Sequence, residues 1–135
     1  MAATYHLTVV TPERVLFDGE AQSLIVRTVG GEVGILAHHA PYVAPLDVGR
    51  MKIVDGEGQE HIAAIAGGLL KTDPESTTIL ADTCEWAGEI DVERARRAEE
   101  RARAYIENPT ELHTQEIAEI KLRRALNRIQ IGSSK

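Results

Sequence analysis

The stretch Cys84-Glu85-Trp86-Ala87-Gly88-Glu89-Ile90-Asp91-Val92-Glu93-Arg94-Ala95 divides the chain into two kinds of sequence. Residues 1–86 hold nine of the eleven glycines and four of the five prolines. Their apolar residues alternate in short runs, as in Tyr5, Leu7, Val9 and Leu24, Val26, the period-two pattern of strands with one buried face. Beyond Gly88 the period lengthens to that of a helix, with Ala95, Ala98, Ala102, Tyr105 and Ile106 on one face. The expected fold is therefore α+β: an N-terminal antiparallel β-sandwich or barrel over residues 1–86, then a two-helix antiparallel hairpin over 87–135.

Working outward, turn signals punctuate the first part at Asp18-Gly19, Gly30-Gly31, Asp55-Gly56, Gly67-Gly68 and Asp73-Pro74. Asp55-Gly56 is the best hairpin candidate, with Glu57-Gly58 lengthening its loop beyond two residues. In the second part Asp91 is placed to cap a helix, and Ile90 can pack against Ala95 as a staple. Asn108-Pro109 ends that helix, because proline holds the preceding residue extended. A second helix follows with Ala118, Leu122, Ala125, Leu126 and Ile129 on its apolar face, and Gly132 with two serines closes the chain. Alanine at facing positions permits close approach but buries little area. At ~25 cal/mol per Å² of apolar surface such a seam is weakly held, so the hairpin is expected to open readily.

Composition narrows the function. The chain has 135 residues, 43% apolar and 27% charged, enough for a folded core and too little for a large two-lobed enzyme. Fifteen basic against 21 acidic residues, net −6, argue against a nucleic-acid binder. The acidity belongs to residues 1–86, net −7, while the remainder is net +1. The longest nearly apolar run, 62–70, is far short of the ~20 residues that span a bilayer, and no secretory leader is expected. Cys84, the one cysteine, reads as a buried inert thiol. His38 and His39 point to opposite faces of an extended segment, so they suit a turn better than a metal site. His6, His61 and His113 lack ligand-type neighbours, and no phosphate loop or activated nucleophile is present.

The arginines carry the remaining signal. Arg94, Arg97 and Arg101 line one flank of the first helix, and Lys121, Arg124 and Arg128 line the second. Folding the hairpin would gather Arg94, Arg101, Arg124 and Arg128, whose guanidinium groups repel one another unless something negative joins them. The ordinary candidates are carboxylates, Glu93, Glu99, Glu100 and Glu116, through pairs such as Glu93 with Arg97 and Glu99 with Arg103. The other is a polyphosphate, which arginine forks bind bidentately.

In order along the chain stand Val10-Thr11-Pro12, then Gly31-Glu32-Val33-Gly34-Ile35-Leu36 followed by His39, Pro41 and Leu46. Ala66-Gly67-Gly68-Leu69, Thr78-Ile79-Leu80-Ala81 and Ile90-Asp91-Val92-Glu93-Arg94-Ala95 complete the set. With these the chain resembles, over nearly its whole length, the epsilon subunits of bacterial F-type ATP synthases. It departs at Ala37-His38, where that family more often has proline and a variable residue. The resemblance implies a sandwich packed on the gamma subunit and touching the c-ring, in a complex on the cytoplasmic face of the bacterial membrane. It implies a part without its own active site that couples proton-driven rotation to ATP synthesis. It also implies a mobile hairpin that meets the alpha and beta subunits when extended and then inhibits ATP hydrolysis. In some members the folded hairpin binds ATP, and the associated motif stands here as Ile90, Asp91, Arg94 and Ala95. Position by position, the other contacts would be Glu85, Arg101, Arg124 and Arg128, with magnesium left open. Two different readings compete: a free-standing nucleotide-sensing adaptor protein, and a small enzyme using His38, His39 or Asp91.

Overall fold

The computed structural model describes residues 3–133, in two units that meet between Trp86 and Ala87. Seven strands build the first: β1 (Tyr5–Val10), β2 (Val15–Thr28), β3 (Gly31–Leu36), β4 (Tyr42–Leu46), β5 (Gly49–Asp55), β6 (Glu60–Thr72) and β7 (Ser76–Trp86). The predicted alternation is met side chain by side chain. Tyr5, Leu7 and Val9 are buried and His6 between them is exposed; Leu24 and Val26 are buried in β2. With Met51, Ile53, Ile65, Leu70 and Ile79 they form one aliphatic core. The Tyr5 hydroxyl donates to the Ile35 carbonyl at 2.9 Å, and burial pushes that phenol above its usual range.

Pairing runs in a circuit, β1 with β2, β2 with β5, β5 with β6, β6 with β7 and β7 back to β1, so the sheet rolls on itself. β3 pairs with β2, and β4 bridges β6 and β2. All ladders are antiparallel except β1 with β7, which is parallel. The Asp55-Gly56 hairpin forms between β5 and β6, and its loop is longer than two residues: Asp55 Oδ1 accepts from the N–H groups of Glu57 and Gln59, with Gly58 at φ +87°.

Two predicted turns are not turns. Asp18-Gly19 lies inside β2, and Gly67-Gly68 lies inside β6. The glycine pair marks where β6 leaves β5, which it pairs through residues 60–65, and joins β4 through residues 68–72. Both glycines have positive φ there, +76° and +125°. A Cβ on Gly68 would run into the Leu80 carbonyl oxygen and lie 2.8 Å from the Ala81 Cα. Glycine is needed because the strand bends hard against β7 at this point. His38 takes φ +64° in the loop between β3 and β4, at the place where the sequence departs from the family it resembles.

The second unit holds a 3-10 turn at Ala87–Glu89 and two helices, α1 (Val92–Glu107) and α2 (Gln115–Ser133). Asp91 is extended, and its Oδ1 accepts the Arg94 N–H at 3.0 Å, the expected cap. Asn108 ends α1 ahead of Pro109. Thr114 caps α2, its hydroxyl accepting the Ile117 N–H at 3.3 Å. Ala95 and Ala102 on α1, and Ala118, Ala125 and Gly132 on α2, are buried at seven-residue spacing, the repeat of a coiled-coil seam. Gly132 belongs to that seam and to α2, not to a closing loop. A Cβ there would lie 2.8 Å from both the Ile90 and Val92 Cγ2 methyls. Leu126, expected on the apolar face, is 40% exposed, because the close alanine contact rotates it outward. The second of the two closing serines, Ser134, lies outside the described residues.

Candidate functional site

Close packing of the alanines leaves an open groove along the hairpin, with a volume of about 330 Å³. Its floor is Ala98, Ala102 and Ala125. Its rim is cationic, with Arg101 from α1 and Lys121, Arg124 and Arg128 from α2, and Tyr105 and His113 close one end. These six polar or aromatic side chains come from both helices and from the turn between them, so the groove exists only in the closed hairpin.

Two of the four carboxylates expected to neutralise the arginines, Glu93 and Glu99, are engaged elsewhere. Glu99 pairs with Arg103 at 2.9 Å, as the spacing predicts. Glu93 pairs with Arg96 at 2.8 Å, three residues on, in place of Arg97. Among the described residues, Arg101, Lys121 and Arg124 have no ion pair. Exposed i, i+3 and i, i+4 pairs contribute only a few tenths of a kcal/mol, about 0.3–0.5, so they decorate the outer surface of α1 and do little more. Three of the four cations on the groove rim have no carboxylate partner among the described residues. An anion with several oxygens can meet several of these donors at once.

Three of the four predicted arginines, Arg101, Arg124 and Arg128, line the groove, and Arg94 does not. Seven residues separate Arg94 from Arg101, about 10 Å along a helix, and Lys121 takes the fourth place on the rim. Ile90 and Ala95 are buried in the hairpin, and Asp91 is occupied as the α1 cap. Glu85 stands in the first unit, on β7 opposite Ala64. Sequence reasoning missed Tyr105 and His113, whose rings stack with centroids 3.9 Å apart and planes within 7°. The available signal was an aromatic residue on the last turn of α1 and a histidine in the short loop that follows. Among the described residues no group of three or more histidine, cysteine or carboxylate side chains could hold a metal ion.

Fold and groove together define a class of protein: a rolled β-sandwich followed by a helical hairpin with a cation-rimmed groove. Comparison with known proteins makes the class specific. Residues 4–87 match the ATP synthase delta/epsilon chain beta-sandwich domain, and residues 89–132 match the long alpha-helix domain of the same chains. The chain belongs to the ATP synthase delta/epsilon chain family. It is 42% identical over 134 residues to an ATP synthase epsilon chain of Ruminococcus albus, covering 98% of this chain and 99% of that one. With the ATP synthase epsilon chain of Alkaliphilus metalliredigens the identity is 41% over 135 residues, covering both chains completely. In fold it is similar to a chain in the mitochondrial ATP synthase of Euglena gracilis, with a TM-score of 0.84 at 24% identity over all of this chain and 84% of the other.

Proposed function

We propose that this chain is a non-catalytic central-stalk subunit of a proton-translocating ATP synthase and that its hairpin, when closed, binds ATP. The sandwich would pack on the gamma subunit and touch the c-ring, holding the chain peripherally at the cytoplasmic face of the membrane. No helix among the described residues is long and apolar enough to cross a bilayer. The hairpin would inhibit ATP hydrolysis when it opens and reaches the alpha and beta subunits.

One observation carries the nucleotide reading: Arg101, Lys121, Arg124 and Arg128 converge on one groove while the carboxylates of Glu93 and Glu99 pair outside it. Ile90, Asp91, Arg94, Ala95 and Glu85 enter this reading through family resemblance. Their contribution requires the nucleotide to run from the groove toward the start of α1.

Calorimetric titration of the whole chain with ATP, with and without magnesium, tests the site. Binding that is lost in Arg124→Ala supports it; no heat at millimolar ATP overturns it. Arg94→Ala then locates the ligand's other end, because full affinity in that variant confines the nucleotide to the groove. Hydrolysis by the assembled complex, with and without residues 89–135, tests inhibition. Equal rates would remove the regulatory role.

A further inference from the structure

The turn end of the groove carries two side chains that the nucleotide reading does not use. His113 lies flat against Tyr105, with centroids 3.9 Å apart, and both line the groove beside the four cations. The turn holds the histidine in place from both sides of its backbone. Its N–H donates to the Thr110 hydroxyl at 3.0 Å, and its carbonyl accepts the Thr110 N–H at 3.0 Å. Among the described residues neither imidazole nitrogen has a protein partner. The half-buried ring is held by the stack at the turn end of the groove, beside its cations.

An imidazole changes charge near neutral pH, unlike the arginines and lysine around it. The groups facing it are Arg101 and Tyr105 from α1, and Lys121, Arg124 and Arg128 from α2; Glu111, on its own turn, is exposed. No carboxylate lines the groove with it. The tyrosine face is a good platform for a cation, through its ring quadrupole.

We propose that His113 is a proton-carrying contact to a polyphosphate bound by Arg101, Lys121, Arg124 and Arg128, so that binding takes up a proton and strengthens as pH falls. The inference rests on the nucleotide reading of the groove and adds its regulation by pH. The sign follows from charge: an anion in the groove favours the imidazolium over the neutral ring. The contribution of His113 to holding the ligand is therefore larger at acidic than at alkaline pH.

The test is calorimetric titration of the whole chain with ATP at about pH 6 and about pH 8, for wild type and His113→Gln. Glutamine keeps a planar polar group but cannot take up the proton. The γ-phosphate of ATP also gains a proton in this range, which affects both proteins alike, so the ratio of their affinities isolates His113. That ratio should be up to about five-fold larger at the lower pH, the size of one partly exposed ion pair. A ratio that does not change with pH overturns the proposal and leaves the nucleotide site standing. Absence of ATP binding to wild type at both pH values overturns both. Should the variant fold poorly, the His113 Cε1–H resonance of the wild-type chain gives the answer. ATP added near pH 7 must move it toward the imidazolium position, and an unmoved resonance refutes the contact.

Discussion

Replacing Gly132 with alanine sets two helix effects against each other. Gly132 lies inside α2, where alanine is ordinarily preferred by about 1 kcal/mol. Here the new Cβ would sit 2.8 Å from the Cγ2 methyls of both Ile90 and Val92, about 0.6 Å inside ordinary contact. Neither methyl can swing away cheaply, because β-branched side chains are stiff at χ1. Ile90 is also 3% exposed and directly precedes the Asp91 cap, so displacing it disturbs the start of α1. Overpacking of this kind costs about 1–3 kcal/mol, so the net expectation is a hairpin weakened by about 1 kcal/mol. Amide hydrogen exchange in residues 92–107 and 115–133, read under conditions where closing outpaces exchange, should accelerate about five-fold. Exchange in the sandwich strands should not change. Gly88→Ala is the control, since nothing lies within 4 Å of the position its new methyl would take, and it should leave both units as they are. If Gly132→Ala instead slows exchange, propensity has won and the close approach of α2 to Ile90 and Val92 is wrong.

Gly68→Ala should prevent the sandwich from folding or lower its stability in urea by more than about 3 kcal/mol, because the methyl meets the backbone of Leu80 and Ala81, which cannot rotate aside. A near-native urea midpoint would contradict the bend in β6. Thr114→Ala removes the α2 cap and should cost about 1 kcal/mol, seen as faster exchange in the first turn of α2. Equal exchange rates would make Thr114 a bystander. Asp73 accepts the N–H groups of Glu75 and Ser76, which holds its carboxyl below the ordinary carboxylate range. Its contribution to stability is therefore present above about pH 4 and is lost as pH falls through the lowered native value. Asp73→Ala should show a shallower acid loss of stability than wild type, and parallel profiles would refute the assignment. If ATP binds only the closed hairpin, about 100 Kd of ATP adds roughly 2.7 kcal/mol to closure and slows exchange through hairpin opening about 100-fold. Binding without such protection would separate the ligand from the hairpin's posture.

Local physics was enough for the elements whose limits are local. The period change after Gly88, the Asp91 cap, the stop at Asn108-Pro109 and the Asp55-Gly56 loop are each determined within a few residues. Gly67-Gly68 was ambiguous for a physical reason. A glycine pair serves equally well in a turn and in a strand forced to bend, and only its partners on β4, β5 and β7 distinguish the two. The parallel pairing of β1 with β7 joins segments some seventy residues apart and leaves no periodic mark. At the groove, Arg101, Arg124 and Arg128 share the flank that helical spacing gives them, because each needs only its own helix. Arg94 lies outside the groove and Lys121 lines it, which reflects the axial shift between the helices. That shift depends on the turn at 108–114 and on the contact of Gly132 with Ile90 and Val92, neither of which a helical wheel contains. The Tyr105–His113 stack crosses the same turn and was hidden for the same reason.

The small residues that weaken the seam also create the site. Ala102 and Ala125 are buried in the helix contact, and with Ala98 they form the floor of the groove. Leucine at Ala98 would fill the groove, whereas at the buried Ala102 or Ala125 it would overpack the close helix contact, at a cost of about 1–3 kcal/mol. The helix contact and the groove are thus built from the same side chains. The cationic rim adds to this, because Arg101, Lys121 and Arg124 have no ion pair among the described residues and like charges gathered by closure oppose it. An anion bound there, as proposed, would remove that opposition. On the proposed nucleotide reading, occupancy of the groove and closure of the hairpin would be coupled through these same side chains, with no need for a separate relay.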